Sequence, residues 1–374
     1  MKLKTELGDF LVDEILDESL VNDAPTNYHL YLLKKTNYTT ERAVTQVAKS
    51  LKISRKSISY AGTKDKNAIT TQYVVIRGRG KEQVEALDLK DIKLEFKGYT
   101  RAHLTLGDLS GNRFTIIVRG ISIGLGPGPS SFIVPNYFDD QRFSTNNVEI
   151  GMALLKKDFK KAAGLLEGDI DADAVSDWLE ERPTDFVGAL LRMPKKILLF
   201  YVHSVQSKLF NEFLKKRIVG DVKKISMNGC SPLIGSTCST FNKPIFLGHQ
   251  KMQIELDILN LDVCDLHFFS VKEVEYSQGI LLFPKELLVD EHLLERKDLL
   301  VGFDSDIELD EFGLNTLDFI IKQIPSLTLE GAERPSFFKV KDCKVEDFVN
   351  GVQKISFVLG KGSYATIVVK QLFN

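Results

Sequence analysis

Along this chain the apolar positions switch between the two spacings that separate strands from helices. In Tyr28-His29-Leu30-Tyr31-Leu32-Leu33 they form a compact run that predicts a strand, closed by the polar turn Thr36-Asn37-Tyr38-Thr39. Val44, Val47, Ala48 and Leu51 then follow helical spacing, with Thr40 as the expected cap. Gln72-Tyr73-Val74-Val75-Ile76 predicts a strand ended by Arg77-Gly78-Arg79-Gly80, and further strands are expected at Ile92–Phe96 and Arg113–Val118. Residues 121–136 hold so many Gly, Pro and Ser that they read as a flexible connector without regular structure. From about residue 146 the texture changes. Amphipathic helices are expected over 150–166 and 204–217, joined by an acidic stretch and by Leu190-Leu191-Arg192-Met193-Pro194. Strand-like segments follow at Met252–Ile258 and Ser270–Val274, and the end returns to short β segments, 354–359 and 364–369, around Gly360-Lys361-Gly362.

Composition changes this picture little. A chain of 374 residues, 43% hydrophobic and 27% charged, can bury two or three cores and has no disordered character. The longest apolar run, Ile197 to Val202, is too short to span a bilayer, and the N-terminus has no apolar signal region, so no membrane association is expected. Cys230, Cys238, Cys264 and Cys343 form no C-x-x-C pair, which points to reduced thiols in a cytoplasmic protein.

Charge matters more in its distribution than in its sum of −2. Lys49, Lys52, Arg55, Lys56, Lys64 and Lys66 surround the single anion Asp65, whereas seven carboxylates and no cation lie between Glu167 and Glu181. A basic segment of this kind can meet phosphate, although most charge runs are solvated helix faces. Within it, Tyr60-Ala61-Gly62-Thr63-Lys64-Asp65-Lys66-Asn67-Ala68 places a carboxylate between lysines, which favour its ionised form and suit a nucleophile or base acting on a polyanion. The same residues also fit a solvated turn. Pro135-Asn136-Tyr137-Phe138-Asp139-Asp140-Gln141-Arg142-Phe143 interleaves aromatics with amides and an arginine, a set that can stack a base or fill a core. Asp169, Asp171, Asp173, Asp177 and Glu180 nearly reproduce calcium-loop spacing, but Ala174 stands where the sharp turn needs glycine, and an acidic helix start explains the run more simply. No histidine pairs at metal-ligand spacing, and neither G-x-S-x-G nor G-x-G-x-x-G occurs.

Taken in order, these stretches resemble the TruD family of tRNA pseudouridine synthases. Asp9-Phe10-Leu11-Val12-Asp13-Glu14, with Lys4 before it, is similar to the family's N-terminal motif, and the stretch around Asp65 with Thr70 and Gln72 to its catalytic one. Leu106 to Phe114, Asn136-Tyr137-Phe138 with Gln141-Arg142-Phe143, and Gly362-Ser363-Tyr364-Ala365-Thr366 resemble three more; Ser207 to Asn211 and Arg334-Pro335 match loosely. Asp139-Asp140 departs from the family's pattern and could tune RNA contact through its charge.

The resemblance implies an α+β fold: a pseudouridine synthase-type catalytic domain of residues 1–145 and 331–374, with a mixed, largely antiparallel sheet and flanking helices, carrying an inserted α/β TRUD domain over 146–330. It implies conversion of uridine to pseudouridine, at position 13 of tRNA, by a monomer needing no metal, nucleotide or other cofactor. Asp65 would be the catalytic carboxylate, as nucleophile at C1′ or base at C2′ of a flipped uridine, with Lys4 keeping it ionised. Phe138, Asn136 and Phe10 would bind the uracil. Lys52, Arg55, Lys56 and Lys66 are expected at phosphates from charge alone. A non-catalytic RNA-binding protein or RNA chaperone on the same fold, or a calcium-binding module, are the rival readings.

Overall fold

The computed structural model describes residues 1–22, 24–122, 124–126, 128–143, 146–166, 173–227, 273–275, 280–282 and 291–373. In chain order the elements are β1 (Phe10–Leu16), β2 (Val21–Asn22), β3 (Tyr28–Thr36), α1 (Thr40–Ser50), β4 (Ile58–Tyr60), β5 (Ile69–Arg77), α2 (Lys81–Glu85), β6 (Ile92–Thr100), β7 (Leu109–Arg119), β8 (Gly124–Leu125) and β9 (Phe132–Pro135). Then come α3 (Asn147–Leu155), α4 (Phe159–Gly164), α5 (Asp173–Glu181), α6 (Phe186–Leu190), α7 (Lys195–Met227), β10 (Glu273–Glu275), β11 (Ile280–Leu282), β12 (Lys297–Leu300), β13 (Ala332–Pro335), β14 (Phe337–Val345), β15 (Val352–Gly360) and α8 (Ala365–Phe373).

The main sheet runs β2-β6-β3-β5-β1-β7-β15-β14-β9, with β4 added alongside β5. Within it only β1 and β5 are parallel, so the fold is α+β with a mixed, largely antiparallel sheet. β1 is a central strand between β5 and β7, and burial alternates strictly along it, with Phe10, Val12, Glu14 and Leu16 on the buried face. On one half of the sheet, α1 lays Ala43, Val44, Val47 and Ala48 over Tyr31, Leu33, Val74 and Ile76. On the other, α8 lays Ile367, Val368, Val369 and Leu372 over Phe114, Ile116, Ile355 and Phe357. A separate, mainly helical core gathers Leu154, Leu190, Val202 and Val205 with Phe319, Ile321 and Leu327.

Several elements depart from the sequence expectation. The segment 365–373 is a helix rather than a strand: its β-branched run suggests β structure, but burial of Ala365, Val368 and Leu372 against the sheet overrides propensity. The Gly/Pro-rich connector contains β8 and β9, and all four residues of β9 are buried as it pairs with β14. The helix cap is Thr39, whose side chain accepts from the Arg42 N–H, so Thr40 is free for another role. The expected helix 150–166 is two helices, α3 and α4, and 204–217 is part of the longer α7. The strand expected at Met252–Ile258 lies outside the described residues, as do Cys230, Cys238, Cys264 and the start of the acidic stretch; of 270–274 only the end is described, in β10. Cys343 is a buried free thiol whose pKa burial pushes up to about 11.

Candidate active site

Lys4 reaches the site because the segment before β1 is tied down at both ends. Lys2 exchanges two backbone hydrogen bonds with Arg119, at 2.7 and 3.1 Å. The Arg119 guanidinium forks onto Asp9 at 2.7 to 3.1 Å, and Asp9 also accepts from the Glu6 N–H. That arginine holds the buried Asp9 carboxyl below the usual range, although burial opposes it. Between these anchors Lys4 adopts a left-handed backbone, φ 55°. Its ammonium lies 4.3 Å from the centre of the Phe10 ring and donates to Asp65 Oδ2 at 2.6 Å. Phe10 itself is 3% exposed and meets Phe114 edge to face, so its contact within the site is with Lys4.

The loop from Ala61 to Ala68 crosses from β4 to β5 and is pinned at almost every residue. Gly107 N–H donates to the Ala61 carbonyl, and Gln72 Nε2 to the Gly62 carbonyl. The buried Thr40 hydroxyl accepts from the Lys64 N–H at 2.9 Å and donates to Gln72 Oε1 at 2.7 Å. Lys64 does not turn toward Asp65: its ammonium pairs with the fully buried Glu14, which also accepts from the Tyr73 N–H. Burial raises the Glu14 pKa although Lys64 opposes the shift. Gly62 lies against this pair, a Cβ there being 3.3 Å from Lys64 Nζ. Beneath the loop Lys35, at 0% exposure, donates to the Asp65 carbonyl at 2.9 Å and to the Tyr38 carbonyl at 2.6 Å. Burial pushes the Lys35 pKa down to about 8 despite the charge on Asp65. The outcome is a carboxylate on a fixed backbone, side chain 55% exposed, facing solvent beside Lys4.

The aromatic motif forms a second cluster. Phe138 is clamped by two bonds to Asn211 of α7, 2.8 Å to its N–H and 3.0 Å to its carbonyl. Its ring meets Phe210 edge to face and Tyr364 obliquely, and the Arg334 guanidinium carbon stands 4.2 Å from its centre. Asn136 is 4% exposed, its amide donating to the Pro335 carbonyl and accepting from Arg334. The Asp139-Asp140 pair does not present free charge. Asp139 is buried, accepts from Thr366 Oγ1 and Lys370 Nζ, and is held below the usual range by them against the effect of burial; Asp140 shares Lys370. The two clusters are connected through Lys361, which donates to the Gly107 carbonyl, and Gly362, whose carbonyl accepts from Arg334.

Of the expected phosphate contacts, Lys52, Lys56 and Lys66 are exposed. Arg55 is already paired at the surface, forking onto Glu41 at 2.8 and 2.6 Å and donating to the Ile58 carbonyl. Sequence reading missed Lys35, Glu14 and Thr40 as supports of the loop, and Arg334 beside Phe138. The available signal for Lys35 was its place on the same face of the strand as Tyr31 and Leu33. Among the described residues no three His, Cys, Asp or Glu side chains are grouped to hold a metal ion, and no helix is long and apolar enough to cross a membrane.

The match to known proteins covers both clusters. The family model for tRNA pseudouridine synthase D (TruD) matches residues 1–178, 172–229 and 304–372. A "probable tRNA pseudouridine synthase D" of Thermococcus sibiricus is 29% identical over 425 residues, covering 100% of this chain and 94% of the relative. A second, from Methanocaldococcus jannaschii, is 30% identical over 421 residues, covering 100% and 92%. The crystal structure of a TruD protein from Methanosarcina mazei has the same fold, with TM-score 0.63 at 23% identity over 100% of this chain and 93% of that one. This chain belongs to the TruD family.

Proposed function

We propose that the chain isomerises uridine to pseudouridine in tRNA, at position 13, with Asp65 as the catalytic carboxylate. The observation that carries the reading is the 2.6 Å pair of Lys4 with Asp65, two residues 61 apart in sequence, each on separately anchored backbone. The reaction is redox-neutral: the N1–C1′ bond breaks, C5 bonds to C1′, C5 gives up its proton and N1 gains one. An exposed carboxylate on a rigid loop can meet the ribose of a flipped nucleotide, as nucleophile at C1′ or as base at C2′. Lys4 orients it and balances its charge. Phe138 offers the surface for the base, with the buried Asn136 behind it holding Arg334, and Lys52, Lys56 and Lys66 meet backbone phosphates. The catalytic domain is made of residues 1–145 and 331–374, with 146–330 inserted, and the enzyme works as a cytoplasmic monomer without a cofactor.

The test is tritium release from tRNA labelled at uridine C5. Wild-type protein is expected to release it and Asp65→Asn to release none while still binding tRNA. Release by Asp65→Asn at the wild-type rate refutes the assignment of Asp65. Binding of tRNA with no release by wild type would make the protein a non-catalytic RNA binder.

A further inference from the structure

Two arginines beside Phe138 lack the carboxylate partners that half-buried guanidinium groups usually have. Among the described residues neither Arg142 nor Arg334 is ion-paired with Asp or Glu; of the acids nearest them in sequence, Asp139 and Asp140 are held by Lys370 and Glu333 by Lys297. Arg334 rests on Phe138, 4.2 Å from the ring centre, and its Nε is buried without a hydrogen-bond partner. Arg142 donates from Nε to Ser207 Oγ at 3.2 Å and lies 4.8 Å from the Phe200 ring centre and 5.8 Å from that of Phe138. Burial pulls the pKa of each arginine down, and Arg142 adds to the effect on Arg334; Tyr364 is the single group opposing it. Both guanidiniums are costly to keep in this place unless an anion joins them.

Asn136 is occupied in the same arrangement. Its Oδ1 accepts from Arg334 Nη2 at 2.7 Å and its Nδ2 donates to the Pro335 carbonyl at 2.9 Å, so both ends of the amide hold the Arg334-Pro335 dipeptide. At 4% exposure it has little surface left for a ligand. Arg334, in contrast, is held over an aromatic face with N–H donors remaining.

We propose that Arg142 and Arg334 bind one phosphodiester of the RNA strand, with Asn136 acting as the positioning residue that presents Arg334. The inference rests on the reading of Asp65 above, since it places the phosphate at the aromatic side of the same cleft. The site lies where the α7 side chains Ser207 and Phe210 meet β13 and the turn after β9. A phosphate there would hold the strand against both cores while the target nucleotide turns toward Asp65.

The experiment measures tRNA binding by fluorescence anisotropy in the Asp65→Asn protein, between about 50 and about 200 mM salt. Arg334→Met and Arg142→Met are each expected to weaken binding by about tenfold. Because the two share one phosphate, each should reduce the slope of log Kd against log salt by about 0.7 to 0.9 at most. Arg334→Lys, which keeps the charge and is the milder substitution, should retain the wild-type slope. Asn136→Ala should lower affinity alone yet add nothing in the Arg334→Met protein. An unchanged slope in both methionine variants overturns the proposal and points to an uncharged acceptor such as a uracil carbonyl. Additive effects of Asn136→Ala and Arg334→Met overturn the positioning role. Failure of the broader reading looks different: tritium release is then absent in wild type, whatever the salt slopes.

Discussion

Replacing Lys35 with methionine separates the fold from the catalytic loop. The ammonium is fully buried, and its pKa of about 8 against an ordinary 10.5 means that keeping it charged costs the native state about 3 kcal/mol. The sign follows from proton counts. Between pH 8 and 10.5 the unfolded chain holds this proton and the folded chain has lost it, so wild-type stability should rise with pH across that window. Below pH 8 the full cost is present. Lys35→Met removes that cost but leaves the Asp65 and Tyr38 carbonyls without their donor, at about 1 to 3 kcal/mol each. The opposing contributions largely cancel, and at pH 7 the variant should differ from wild type by no more than about 3 kcal/mol.

Activity should not cancel in this way. Lys35 is the hydrogen bond between β3 and the backbone of Asp65, and a carboxylate displaced by about 1 Å is expected to lose about a hundredfold in kcat, with KM little changed. Urea unfolding followed by circular dichroism at pH 7 and pH 10 gives the stability, and single-turnover tritium release gives the rate. In the variant the gain in stability between these two pH values should disappear. Wild-type kcat in a folded Lys35→Met protein would refute the idea that the lysine positions Asp65. Equal pH dependence in the two proteins would refute the depressed pKa.

Glu14→Gln leaves the Lys64 ammonium buried without a counter-charge and should cost about 3 to 5 kcal/mol in urea unfolding, far more than a surface pair would. Asp9→Asn tests the anchor of the Lys4 segment: because Arg119 depresses the Asp9 pKa, its contribution is complete above pH 3.8 and lost as pH falls below it, so the variant should show a shallower acid-side loss of stability than wild type. Gly111→Ala would place a Cβ 2.3 Å from the Leu359 carbonyl oxygen, forcing β7 and β15 apart; a loss of about 3 kcal/mol is expected, measured as a lower urea midpoint with unchanged slope.

What could be read from the sequence was what short spacing encodes. The apolar run in β3 and helical spacing in α1 identified those elements because their buried positions recur at the period of a strand and of a helix. The helix α8 was not legible: Ile367, Val368 and Val369 are buried in succession, which as a pattern resembles a strand, and what makes it helical is the sheet it packs on. Likewise β9 is a strand because β14 pairs with it, and that partner lies far away in the chain, Phe337 standing opposite Pro135. Asp65 and Lys4 could be matched to a motif, but Lys35 became visible as a support only when β3 was placed beneath the loop.

Charge shows the same division between what a sequence states and what a fold does with it. The basic run from Lys49 to Lys66 suggested a continuous phosphate-binding surface. Two of its cations are paired instead: Arg55 at the surface with Glu41, and Lys64 in the interior with Glu14, where it holds the loop in place. Conversely, Arg142 and Arg334 stand 192 residues apart in segments with acids nearby, so no window of sequence marks them as basic. The fold pairs those acids elsewhere and leaves the two arginines together at Phe138. A chain with a net charge of −2 can therefore still offer cations to a polyanion, because what a polyanion meets is the set of cations left unpaired.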